Sequence, residues 1–171
     1  MRRCLIVGNQ SLGGAHLAEA VQQRLTAGVR DFYVVVPATP LHHPTTANGE
    51  SSLVAPSARD QAYAVARQRL DAALDCLHGH GATAEGEVGD PDVMVAVRTA
   101  LGRFHADEVI VSTLARGLSR WLHADVPARI ARSCRLPVTH LTGRATDHFD
   151  PSLRPVGVEQ VETPDAHRDS A

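Results

Sequence analysis

The sequence predicts an α/β fold: a five-stranded parallel sheet with helices packed on both faces. Three observations predict it. Strand-type and helix-type segments alternate regularly from residue 4 to residue 141. The inner strand segments are short, nearly continuous apolar runs, as strands buried on both faces require. Glycine, proline and small polar residues mark the junctions between segments.

Cys4-Leu5-Ile6-Val7-Gly8 reads as the first strand. Asn9-Gln10-Ser11 follows with turn and helix-capping chemistry. From Gly14 to Ala27, Leu17, Val21 and Leu25 recur at helical spacing with Ala18 alongside, and Gly28 ends the helix. Phe32 to Val36 is a second strand, stopped by Pro37. Pro40 to Pro56, rich in Pro, Thr, Ser, Asn and Gly, reads as a long surface loop. Ser57 to His78 is the clearest helix. Its apolar stripe is Ala62, Ala66, Leu70, Ala73, Leu74 and Leu77, with Arg59, Arg67, Arg69 and Asp71 placed off it. Ala82 to Val88 is a third, less apolar strand. Gly89-Asp90-Pro91 opens the next helix, with Asp90 as expected cap, Pro91 in the first turn, and Met94, Val97, Leu101 and Phe104 facing inward. Asp107 to Val111 is the fourth strand and Leu136 to Leu141 the last. The stretch from 146 to 171 is polar and aperiodic and is expected to be a disordered tail outside a single domain at 1–145.

Composition excludes several classes of function. The chain has 171 residues, 43% hydrophobic and 21% charged, with a net charge of -2, so nothing points to bulk attraction to nucleic acid or anionic lipid. No apolar run approaches the roughly 18 residues that span a bilayer. The start, Met1-Arg2-Arg3-Cys4-Leu5, has signal-like charge, but its apolar stretch stops at Val7, so a cytoplasmic location is expected. All 17 basic residues are arginine. Without lysine there is no Walker phosphate loop and no Schiff-base chemistry. Cys4, Cys76 and Cys134 are widely spaced within apolar patterns and are expected to be buried thiols.

The stretch Val111 to Ile130 leaves an apolar strand, passes a loop with hydroxyls, arginines and Gly117, and enters a helix. Open parallel sheets bind ligands at such strand ends. Ser112, Thr113, Arg116, Gly117, Ser119 and Arg120 are therefore candidates for an anion site. Gly8 and Asn9 after the first strand, and Val36 at the end of the second, are candidates for its opposite wall. Arg116 and Arg120 could grip a phosphate bidentately. Gly8 to Gly14 lacks the Gly-x-Gly-x-x-Gly spacing of a dinucleotide loop. His42-His43 and the His78-Gly79-His80 run lack zinc-motif spacing, and no catalytic set is evident, so no metal and no turnover are expected. Trp121, at helical spacing from Leu118 and Leu122, packs inward or forms a contact surface.

Over residues 3–142 the chain resembles the universal stress protein family. Three stretches carry the likeness: Gly86 to Pro91 ahead of a helix, Ala106 to Ser112 ahead of a loop and helix, and Leu136-Pro137-Val138 opening the last strand. The resemblance implies strand order 3-2-1-4-5. It also implies a homodimer joined through the last strand, here Pro137, Val138, Thr139, His140 and Leu141. ATP-binding members share a glycine-rich signature after the fourth strand and an Asp after the first. This sequence departs from both. Ser112 and Ala115 stand at the first two glycine positions, Ala124-Asp125 stands for Gly-Ser, and Asn9 for the Asp. A carboxylate 4 Å from a phosphate costs on the order of 4 kcal/mol at an effective dielectric near 20. A helix N-terminus returns up to about 2 kcal/mol. Arg116, Arg120 and Arg129 could offset the difference; Asp125 otherwise reads as an N-cap ahead of Val126-Pro127. The resemblance with its altered loop implies a non-catalytic stress-response protein acting by dimerisation and protein contacts. Its alternative is an ATP or adenylate switch.

Overall fold

The structure, a computed structural model, describes residues 2–39, 57–114 and 125–143. Five strands form one sheet: β1 Arg3–Val7, β2 Asp31–Pro37, β3 Thr83–Gly89, β4 Glu108–Leu114 and β5 Val138–Gly143. Four helices are described: α1 Ala15–Thr26, α2 Ala58–Gly79, α3 Val93–Arg103 and α4 Val126–Cys134. All strand pairs are parallel and the order is β3-β2-β1-β4-β5. The expected fold class and strand order are both present.

The sheet divides the core in two, because successive side chains leave opposite faces. Cys4 and Ile6 of β1 join Phe32, Val34, Val36 and Ile110 against α1 and α2. Leu5 and Val7 join Val35, Val109 and Val111 against α3 and α4. Each fully buried Leu or Ile contributes about 1.5–3 kcal/mol of transfer free energy, and Leu5, Ile6, Leu70, Ile110 and Ile130 are all fully buried. Right-handed crossovers put two helices on each face, since the chain runs outward from β1 to β3 and then returns to β4.

Several local expectations need correction. The N-cap of α1 is Gly14, not the Asn9–Ser11 turn, because the chain bends on through Leu12 and Gly13 first. Asp92, not Asp90, caps α3, and its carboxylate accepts from the amides of Met94 and Val95; Asp90 instead accepts from the Asp92 amide at 2.8 Å. Ser57 caps α2 in a reciprocal capping box with Asp60. Arg69 lies on the buried stripe of α2 and is only 5% exposed. It stands three residues after Ala66 and four before Ala73, so helical geometry places it inward despite its charge. Phe104 is the C-cap residue of α3 and stacks on Tyr33 with ring centroids 5.2 Å apart. Cys76 is exposed, whereas Cys4 is buried and Cys134 intermediate. β4 runs on to Leu114 and β5 to Gly143, because Ser112 and Thr113 pair with Leu141 and Thr142. The predicted 40–56 loop, the tail and Trp121 lie outside the described residues.

Candidate functional site

β1 and β4 are neighbours at the centre of the sheet, with Val7 opposite Val111. The chain leaves β1 toward β2 on one side, while β4 and β5 lie on the other. This is the switch point at which open parallel sheets form a crevice. Gly8 and Ser112 lie side by side on its rim, since a Cβ on Gly8 would sit 3.5 Å from that of Ser112. The same Cβ would come within 2.6 Å of Leu12 Cδ2, so a larger residue at position 8 would push Leu12 from this corner.

The polar side chains on the rim are bonded to the protein itself. Ser112 Oγ donates to the Ser11 carbonyl at 3.3 Å and lies 2.9 Å from His16 Nε2. With the hydroxyl proton on Ser11, His16 Nε2 is the donor to Ser112 Oγ. His16 is seated on Gly143, where a Cβ would come within 2.5 Å of its ring. On the other face of β4, Thr113 Oγ1 lies 2.8 Å from His140 Nε2 and 3.5 Å from the Leu141 carbonyl. Ser112 and Thr113 are 1% and 2% exposed. Burial lowers the pKa of His140, favouring its neutral ring. Asn9 donates through Nδ2 to the Pro37 carbonyl at 2.9 Å and accepts through Oδ1 from Arg69 Nη1.

The structure thus brings Gly8, Asn9, Ser112 and Thr113 to one rim. Val36 is fully buried against the α1–α2 face. Arg116, Gly117, Ser119 and Arg120 lie outside the described residues. Asp125 stands at the N-cap position of α4, but its side chain makes no capping hydrogen bond. Its backbone is left-handed (φ 50°), which turns the carboxylate away from the helix amides. The carboxylate lies 3.6 Å from Arg132 Nη2 in an exposed pair. Among the described residues no cluster of His, Cys, Asp and Glu could hold a metal. His78 Nε2 instead bonds the Ala84 carbonyl at 2.9 Å. A mainly apolar cleft of about 80 Å³ lies between α1, the Leu12–Gly14 turn before it and the C-terminal half of α2, floored by Ile6 and Val34.

Sequence reasoning passed over Arg24 and placed Arg69 off the buried stripe. Arg24 of α1 reaches Glu108 Oε2 at 3.3 Å and Thr139 Oγ1 at 2.9 Å, tying α1 to β4 and β5. Burial and the Glu108 carboxylate push the Cys4 thiol up to about 12.

No family model matches the sequence, and no curated protein matches it. Solved structures match it over most of its length. One is a universal stress protein in complex with cAMP, with a TM-score of 0.51 and 22% identity, covering 81% of this chain and 96% of that one. This chain has the universal stress protein fold. A protein of the universal stress protein family from Burkholderia pseudomallei superposes with a TM-score of 0.54 at 18% identity, over 81% of this chain and 94% of that one. The universal stress protein from Archaeoglobus fulgidus gives 0.51 at 17%, over 82% and 97%. The universal stress protein fold accounts for the sheet order and for the position of the rim between β1 and β4. No described helix is long and apolar enough to cross a membrane.

Proposed function

We propose that this chain is a non-catalytic, cytoplasmic stress-response protein that acts by homodimerisation through β5 and by contacts with other proteins. One observation carries the reading. The rim hydroxyls that would meet a nucleotide, Ser112 and Thr113, are buried and hydrogen-bonded within the fold. Buried hydroxyls with internal partners have nothing to offer a phosphate unless those bonds are broken. The sheet edges support the choice of β5 as the dimer strand. β3 carries Glu85 and Glu87, charges that discourage strand addition. β5, Val-Thr-His-Leu-Thr-Gly, carries no acid, lysine or arginine along its free edge. Equilibrium sedimentation at tens of micromolar is expected to give a dimer, and a Thr142→Lys variant a monomer; a monomeric parent protein contradicts the proposal.

A second reading, an ATP or adenylate switch, draws on the side-by-side placement of Gly8 and Ser112 and on the cAMP held by one structural neighbour. Mass spectrometry of small molecules released from the purified protein decides between them. An adenylate at a near-stoichiometric level favours the switch, and none favours the protein-contact reading.

A further inference from the structure

Among the described residues Arg69 is a buried cation without an anion. It is 5% exposed, on the face of α2 that also buries Ala66, Leu70 and Ala73. Its one described hydrogen bond runs from Nη1 to the neutral amide oxygen of Asn9. Its Nε is fully buried and has no partner among the described residues. None of the ion pairs among the described residues involves it. Burial lowers its pKa, and no carboxylate raises it again. An isolated ion in a protein interior costs several kcal/mol, and an apolar side chain of similar volume would avoid that cost on this stripe.

The arrangement around the guanidinium is directional. Asn9 is fixed by its bond to the Pro37 carbonyl and holds the Nη1 corner. That leaves the Nε–Nη2 edge, two parallel N–H groups that match the two oxygens of a carboxylate or phosphate. Two residues beyond Pro37, Thr39 Oγ1 is also buried without a partner. Arg69 reaches the C-terminal end of β1 from α2 through Asn9, and Thr39 follows the end of β2, the strand on the far side of β1 from β4.

We propose that the free Nε–Nη2 edge of Arg69 binds an oxyanion, a phosphate or carboxylate, at the β1–β2 end of the rim. The site is independent of the β4 hydroxyls and of the reading given above for function. Asn9 acts as its positioning residue. An Asp at position 9 would neutralise Arg69 internally and close the site, whereas Asn orients the guanidinium and leaves its charge available.

The test is thermal unfolding of the full chain at constant ionic strength, with chloride replaced by inorganic phosphate, acetate or AMP. Phosphate or acetate at about 10 mM is expected to raise Tm by about 3 °C, the shift for a ligand of roughly millimolar affinity. The larger response identifies the anion class, and AMP is expected to do no more than phosphate. Arg69→Met is expected to abolish the response, and Asn9→Asp to reduce it at least severalfold. No shift with phosphate or acetate overturns the proposal, as does a shift with AMP alone or a full response in Arg69→Met. If Arg69→Met does not fold, an undiminished response in Asn9→Asp overturns it.

Discussion

Gly8 shows how tightly the rim is filled. Leu12 occupies the space into which any side chain at position 8 would project, with 2.6 Å between its Cδ2 and a Cβ. Gly8→Ala is therefore expected to destabilise the fold by about 1–3 kcal/mol through overpacking, read by urea denaturation. Ser112→Ala removes a hydroxyl that bonds both His16 Nε2 and the Ser11 carbonyl and is expected to cost about 1–2 kcal/mol. A Ser112→Ala protein as stable as its parent contradicts the bonding described here. The thiols separate by environment. Cys76 is exposed and should be alkylated in the native protein, whereas Cys4, fully buried with its pKa near 12, should react only after unfolding. Mass mapping after iodoacetamide treatment at pH 8 checks both. His140 adds a pH effect whose sign follows from its lowered pKa. Between its folded and unfolded pKa values the unfolded chain binds more protons, so its contribution to stability is present above the unfolded value, about 6.5. It is lost as pH falls through the folded value. His140→Gln should flatten the acid side of the stability profile from pH 7 to 5, measured as Tm.

Among the elements, α1 and β5 depend on each other through Arg24. Its guanidinium spans Glu108 and Thr139, and both members of the ion pair are largely buried, at 18% and 13% side-chain exposure. Arg24→Ala leaves Glu108 without a counter-charge and is expected to cost about 2 kcal/mol. Amide exchange should accelerate most in β5, which is held to the sheet by β4 alone; uniform acceleration across the sheet contradicts this local role. The elements themselves were legible because apolar periodicity and burial agree in them. Leu17, Val21 and Leu25 of α1, Ala62, Ala66, Leu70, Ala73 and Leu77 of α2, and Val109 to Val111 of β4 are buried where the pattern placed them, with Leu74 partly buried. What failed to show were polar residues whose partners are distant in sequence. Ser112 and Thr113 read as the start of a loop, yet His16, His140 and Leu141 satisfy them inside a strand. Arg69 sits at a helical core position that charge disguises, and its partner Asn9 is sixty positions away. Asp90 and Asp125 have capping chemistry, but the backbone directs their carboxylates elsewhere.

At the scale of the whole molecule, the parallel sheet fixes which ends of the strands meet, and the side chains there decide what the rim can do. Gly8, Asn9, Ser112 and Thr113 share one rim, as a nucleotide site in this fold would need, but their hydrogen bonds close onto Ser11, His16, Pro37, Arg69 and His140. The two end strands of the sheet differ in charge: β3 carries Glu85 and Glu87, whereas β5 carries no acid, lysine or arginine. On the proposed function, the rim hydroxyls serve the fold and not a ligand. Isothermal titration of ATP into the purified chain tests it most directly. No saturable binding tighter than about 100 μM is expected, equivalent to less than about 5.5 kcal/mol. Saturable ATP binding in the low micromolar range, weakened by Ser112→Ala, would contradict it.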